Sequence, residues 1–325
     1  MKRPELRIGI SGWTYPPWRG VFYPPDVAQK RELEYASRQV NSIEINGSFY
    51  SLQTPDCYRA WYEATPDDFI FSVKGGRFIT HMKRLKDVTA ATANFFASGV
   101  LALREKLGPI LWQLPPQFAY NRERLETFFQ LLPRDTSEAA ALARMHDDKV
   151  RKGTLTRTDR TRPIRHSLEV RHPTFVTEEF IELLRNHDIA LVVADTAGKW
   201  PFLEDVTSDF IYVRLHGDEQ LYVSGYSKEA LDAWEAKVRT WSQGETPKGR
   251  LAAPGKLARK TPRAVYVYFD NDAKVHAPFD AMSLAHRLGL GDAPTEPPSL
   301  SKVPPPVMNQ SATDSRWNFT ARKPR

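Results

Sequence analysis

One cysteine, Cys57, stands in a chain of 325 residues. A single thiol excludes an internal disulfide and any thiolate metal cluster. No run of about 18 apolar residues occurs, so no membrane span is expected. The opening Met1-Lys2-Arg3-Pro4-Glu5 has no apolar core behind it and runs straight into a strand, unlike a secretory signal. A cytoplasmic location is the expectation. A glycine-rich phosphate turn is missing as well. The first strand is followed by Ser11-Gly12-Trp13-Thr14-Tyr15, which is not a dinucleotide fingerprint. Neither His-x-His nor His-Glu-x-x-His spacing is found, no metal is assigned, and no cofactor is required by the sequence.

What is present is enough apolar residue for a large core: 41% hydrophobic against 26% charged. That suits one barrel-sized unit or two smaller ones. The formal charge of +7 favours anionic partners only weakly. Much of the excess falls in Arg144–Arg165 and in the C-terminal stretch, and solubility alone would account for it.

Eight strand-like runs appear in order: Arg7–Trp13, Ser42–Asn46, Phe69–Lys74, Pro109–Leu114, Ser167–Arg171, Ile189–Asp195, Phe210–His216 and Ala264–Asp270. Helical patterns follow most of them, over Val27–Gln39, Pro55–Ala64, Asp87–Leu107, Arg122–Leu132, Thr177–His187, Ser227–Gln243 and Ala273–Leu288. Thr54 suits an N-cap with Pro55 at the first turn. Alternating β and α runs predict an α/β fold with a parallel sheet, and eight strands close a TIM-type (β/α)8 barrel over residues 1–290. The alternation breaks at 134–165. There Ser137–Lys149 suits a helix, and an arginine-rich connection follows, read as a partly mobile insertion before the fifth strand. Thr196–Asp209 is too short for a sixth outer helix with its loops. Residues 291–325, basic and rich in Pro, Ser and Thr, read as a disordered tail.

Functional residues of such a barrel gather where strands end. Side chains two apart share a face, so the ends offer Ser11 and Trp13, Glu44 and Asn46, Ser72 and Lys74, Gln113, Glu169 and Arg171, Asp195, Arg214 and His216, and Tyr268 and Asp270. Lys74, Arg171 and Arg214 suit a phosphate or carboxylate. Glu44, Glu169, Asp195 and His216 are the acid/base candidates. Ser11, Trp13, Asn46, Tyr50, Gln113, Tyr268 and Asn271 complete the expected ligand-binding set. Mutual neutralisation of arginine and carboxylate is the bland alternative for any one pair.

A retaining glycosidase needs two carboxylates about 5–5.5 Å apart. In many barrel glycosidases the fourth and seventh strands supply them; here those ends carry Gln113, and Arg214 with His216. A metal-dependent hydrolase or isomerase could use Glu169, Asp195, His216 and Asp270, but two arginines would interleave with the cation. The charges fit best a small anionic or sugar-like ligand, with nucleic acid as the alternative partner and no membrane. Glu169→Gln or Arg214→Ala is then expected to remove binding and spare the fold.

Seven segments carry a resemblance: Ile8-Gly9-Ile10-Ser11-Gly12-Trp13, Ile43-Glu44-Ile45-Asn46-Gly47-Ser48-Phe49-Tyr50, Phe71-Ser72-Val73-Lys74, Leu111-Trp112-Gln113-Leu114-Pro115-Pro116, Leu168-Glu169-Val170-Arg171-His172, Val213-Arg214-Leu215-His216-Gly217 and Tyr266-Val267-Tyr268-Phe269-Asp270-Asn271-Asp272. In this order they resemble the DUF72, or YecE-like, family. The resemblance implies a TIM barrel and no established activity. The family's barrel is similar to those of metal-dependent endonucleases and sugar isomerases, which by analogy suggests nucleic-acid or phosphate-containing ligands.

Overall fold

Each apolar run becomes a strand because its side chains can be covered on both faces. The computed structural model describes residues 5–294 except Lys152 and Leu257. Strands β1 (Leu6–Ser11), β2 (Ser42–Ile45), β3 (Ile70–Lys74), β4 (Leu107–Gln113), β5 (His166–Glu169), β6 (Ile189–Asp195), β7 (Phe210–Leu215) and β8 (Ala264–Phe269) pair in chain order, and β8 pairs with β1. All are parallel, so the sheet is a closed barrel of the TIM type. At Gly9 the β1 and β2 backbones approach so closely that a Cβ would lie 1.8 Å from the Ser42 carbonyl oxygen. Glycine is obligatory there.

Helices coat the outside: α1 (Glu32–Ala36), α2 (Gly47–Tyr50), α3 (Pro55–Ala64), α4 (Thr89–Ala97), α5 (Arg122–Leu131), α6 (Thr136–Ala143), α7 (Glu178–Asn186), α8 (Lys228–Ser242) and α9 (His276–Arg287). Thr54 caps α3 as expected, accepting from the Cys57 amide at 3.2 Å. Phe180, Ile181, Leu183 and Leu184 of α7 are buried, each contributing about 1.5–3 kcal/mol. The long helix expected over Asp87–Leu107 is divided. At Gly99 the chain takes φ 118° to pass the backbone of Pro55, and Val100–Lys106 continues as a 3-10 stretch. The helix expected over Val27–Gln39 shrinks to a 3-10 turn, Gln29–Arg31, and α1.

Within 134–165, α6 and the turn after it are tied to their neighbours. Asp135 caps α6 by accepting from the amides of Ser137 and Glu138. Ala139, Ala140 and Ala143 are buried. Asn94 of α4 exchanges two hydrogen bonds with Asp147, at 2.8 and 2.9 Å. The arginine-rich composition concealed this small apolar stripe. Between β6 and β7, residues 196–209 hold no helix, as expected. Cover comes from the α8–β8 loop instead. The buried carboxylate of Glu204 accepts from the Arg250 amide, and that of Asp205 from the amides of Ala252 and Ala253. The stretch expected to be a disordered tail lies, from residue 295 on, outside the described residues.

Inside the barrel, aromatics form the floor of the mouth. Phe210 and Tyr266 lie lowest, with ring centroids 5.9 Å apart. Tyr212 and Tyr268 lie above them, 5.2 Å apart. The hydroxyls are satisfied: Tyr268 bonds Ser42 Oγ at 2.8 Å, and Tyr212 bonds Ser72 Oγ at 2.6 Å.

Candidate functional site

One turn of side chains above Tyr212, β7 presents Arg214. Its side chain is 0% exposed. Nε and Nη2 donate to Glu44 Oε2 and Oε1 at 3.0 and 2.9 Å. Nη1 donates to Glu169 Oε2 at 2.8 Å and to His216 Nε2 at 3.3 Å. Nη2 also donates to Asp270 Oδ2 at 2.9 Å. A guanidinium has five N–H donors, and all five are occupied. One buried arginine thus joins carboxylates from β2, β5 and the end of β8.

Those carboxylates are themselves held. Glu44 also accepts from Ser11 Oγ at 3.1 Å and from the Tyr212 hydroxyl at 2.7 Å. Glu169 Oε1 accepts from Gln113 Nε2 and Arg171 Nε, both at 2.8 Å. Burial alone would raise the Glu169 pKa, but Arg171, Arg214, His216 and Lys74 hold it well below the usual carboxylate range. Burial and the Arg214 charge push His216 down. With Nε2 accepting from Arg214, the neutral ring carries its proton on Nδ1. That atom lies 2.9 Å from Asp270 Oδ2, a bent contact through which the ring stabilises the carboxylate.

Three groups at the mouth are not spent in this way. Lys74, 8% exposed, makes no hydrogen bond or ion pair among the described residues; its Nζ lies 4.5 Å from the centroid of the Phe49 ring. Burial and Arg214 bring its pKa down to about 8, against the pull of Glu44, Glu169 and Asp270. Arg171 uses Nε and Nη2 on Glu169 and rests 3.9 Å above the Trp200 ring; its Nη1 has no acceptor among the described residues. The Asp270 side chain is 15% exposed, with one oxygen on Arg214. Burial would raise its pKa, but Arg214 and His216 hold it down to about 2. Asp272 goes the other way: burial and the Asp270 charge push it well above the carboxylate range. The pKa values of two neighbouring carboxyls are thus pushed in opposite directions.

Around this centre lies a rim. Gly75-Gly76 ends β3, and a Cβ on Gly75 would strike the Trp112 ring at 2.3 Å. A π-helical turn, Phe78–Met82, follows and carries His81; such turns gather at functional sites. Burial, Lys74 and Arg171 bring His81 down to about 4, so its ring is neutral. Tyr222, in the left-handed region at φ 64°, sets its ring edge-on to His216 at 5.2 Å. Tyr50 is 53% exposed, with the Arg77 guanidinium 6.0 Å from its ring centroid.

A family model described as "Protein of unknown function DUF72" matches residues 7–304. The chain belongs to the DUF72 family. Among curated relatives, UPF0759 protein YecE of Escherichia coli (strain K12) is 24% identical over 247 residues, 74% of this chain and 84% of YecE. UPF0759 protein YunF of Bacillus subtilis (strain 168) is 28% identical over 125 residues, 37% of this chain and 43% of YunF. A solved DUF72 family protein from Thermotoga maritima MSB8 matches with a TM-score of 0.65 at 24% identity, over 88% of this chain and 99% of that one. Another, from Enterococcus faecalis V583, gives 0.64 at 15% identity, over 90% and 99%. At these identities the solved structures support the fold. The family match also runs across residues 134–165, the stretch expected to be an insertion.

In this DUF72 barrel, Ser11, Glu44, Lys74, Gln113, Glu169, Arg171, Arg214 and His216 come together as expected. Asn46 lies at the end of β2, and its Oδ1 is buried without a partner. Four expected residues sit elsewhere. Asp195 pairs in register with Leu215, on the helix side of the sheet, whereas Ala194 shares the inner face with Arg214. Asp195 accepts instead from the Tyr226 hydroxyl at 3.1 Å. Asn271 likewise faces the helices, donating to Asp280 of α9 at 2.8 Å. Tyr268 lies one layer too deep, and Trp13 packs edge-on against Trp61 of α3 at 5.3 Å. Asp270 was in the ring of strand ends but not in the expected binding set. Asp272, His81, Tyr222 and Trp200 were not foreseen. Period two would have found Asp272 after Asp270. The other three are loop residues with no local signal.

Proposed function

We propose that the mouth binds a small anionic ligand, bearing phosphate or carboxylate, between Lys74 and Arg171. The observation that carries this is Lys74: a largely buried lysine whose Nζ has three donors, no acceptor among the described residues, and an opening to the mouth. Taking an ammonium out of bulk water is costly, and ligand oxygens would offset it. Arg171 adds a free fork donor beside it. Trp200, Tyr222 and Tyr50 offer ring faces to the less polar part of such a ligand.

Arg214, Glu44 and Glu169 serve in this scheme as a platform rather than as reagents, because their hydrogen-bonding capacity is used. If the site is catalytic, Asp272 is the group whose raised pKa suits proton transfer to or from the held anion, while Asp270 stays ionised and supplies negative charge beside it. Among the described residues no cluster of three or more His, Cys, Asp or Glu is arranged to hold a metal. The test is calorimetric titration with inorganic phosphate and small sugar phosphates, comparing the wild type with Lys74→Met. Binding that Lys74→Met leaves unchanged would refute the assignment.

A nucleic-acid partner is favoured by one observation: exposed rings beside cations at the rim. Arg77 lies over Tyr50, and Lys149 lies 5.7 Å from the Phe78 ring centroid.

A further inference from the structure

The opposite rim of the barrel, where strands begin, also gathers positive charge. The α8–β8 loop, residues 243–263, has six Lys or Arg and one acid, Glu245, which pairs with Lys260 at 2.9 Å. It borders a cavity of about 350 Å³ lined by Arg185, Thr207, Ser208, Asp209, Lys256, Arg259 and Arg263 among others. Arg263 is 3% exposed, and its Nη1 is buried without a hydrogen-bond partner. Its Nη2 donates to the Arg259 carbonyl. No carboxylate pairs with Arg263, Arg259 or Arg185 among the described residues; Arg185 Nε donates only to the Val206 carbonyl, at 3.1 Å.

The remaining polar groups are committed. Lys256 pairs with Glu178 and Glu182. Asp209 pairs with Arg165 at 3.0 Å. Ser208 Oγ donates to Asp188 and Thr207 Oγ1 to the Ile189 carbonyl, both at 2.7 Å. Three guanidiniums without an ion pair therefore line one hollow, one of them with a buried, unpartnered nitrogen whose desolvation Asp209, on the same wall, offsets only in part. The chain's own C-terminal stretch is a poor occupant. From residue 291 on it has five Lys or Arg against three Asp or Glu.

We infer that this rim is a second anion site, separate from the mouth, which takes a phosphate group on Arg185, Arg259 and Arg263. Fork donors match tetrahedral oxygens, and the hollow admits a small phosphorylated molecule.

The experiment is calorimetric titration of the full chain with inorganic phosphate, in the wild type and in Lys74→Met to silence the mouth. Lys74→Met is expected to retain one phosphate site. Adding Arg185→Gln and Arg259→Gln, both away from the core, should weaken that site by about tenfold or more. Arg263→Met should abolish it and raise Tm in phosphate-free buffer. If that variant does not fold, the glutamine pair still decides. A Lys74→Met protein that binds no phosphate at millimolar concentration, or whose remaining affinity the glutamine pair leaves unchanged, overturns the site. Should the mouth bind nothing, wild type and Lys74→Met give the same isotherm, and the glutamine pair still tests this rim.

Discussion

Arg214 and Glu44 form a two-pronged ion pair across the barrel mouth, at 3.0 and 2.9 Å, with both side chains fully buried. The pair ties β7 to β2, which are not neighbours in the sheet. No donor of Arg214 is left for a ligand.

Removing either partner leaves the other charge buried and alone. Arg214→Ala should therefore lose about 3–5 kcal/mol of stability, read as a lower urea midpoint. This replaces the expectation from sequence that the variant folds normally and merely fails to bind. An Arg214→Ala protein with wild-type stability would show that the pair is not holding the barrel.

Lys74→Met should behave in the opposite way. The fold should survive, because a partly desolvated ammonium with no protein partner is exchanged for an apolar chain of similar length. The pH dependence follows from the pKa of about 8 in the folded protein against 10.5 as the ordinary value. Between these values the unfolded chain binds more protons, so wild-type stability rises with pH. The full penalty, up to about 3 kcal/mol, applies below pH 8. Urea titrations at pH 7 and 10 should show the advantage of Lys74→Met shrinking at the higher pH.

Asp270 titrates with the reverse sign. Its pKa is held down to about 2, so its contribution is present above the ordinary 3.8 and is lost as pH falls towards 2. Asp270→Asn should cost about 2 kcal/mol at pH 6 and little at pH 2. Equal losses at both pH values would mean that the carboxylate charge is not what Arg214 and His216 stabilise.

Asp280, on α9, accepts from the Tyr226 amide and Asn271 Nδ2. Burial raises its pKa to about 7. The folded state therefore holds a proton that the unfolded chain has released, and stability falls as pH rises from about 4 to 7. Asp280→Asn should be neutral at pH 4 and stabilising by on the order of 2 kcal/mol at pH 8. Thermal melts at the two pH values suffice to check it.

If nucleic acid is the partner, binding must weaken steeply with salt through counterion release. Anisotropy titrations with a single-stranded oligonucleotide at low and moderate salt would show it. The same titration on a chain cut after Leu290 separates the barrel from the basic tail. Absence of binding to either protein at low salt would dismiss the rim as a nucleic-acid surface.

The barrel was readable because strand runs, repeated eight times, and strand-end pairs, present at six of them, are local signals. The pairs Glu169 with Arg171 and Arg214 with His216 reached the mouth, with Arg171 and His216 just past the ends of β5 and β7. Asp195 failed because parity was assigned from the last polar residue, not from the register that places Ala194 beside Arg214. Asn271 was taken where Asp270, one residue earlier, faces inward. Trp200, Tyr222 and His81 come from loops, whose course depends on contacts distant in sequence. That Arg214 would have every donor occupied is a fact of three-dimensional geometry that spacing cannot express.

The missing outer helix between β6 and β7 has a mechanical corollary. Every other stave of the barrel is backed by at least one helical turn, whereas this one is strapped by two carboxylates, Glu204 and Asp205, gripping backbone amides of a loop that belongs to a different repeat. A shell closed there by polar links in place of a packed helix should breathe there first, letting deuterium into β6 ahead of its neighbours and giving a protease its earliest foothold between Leu203 and Ala253.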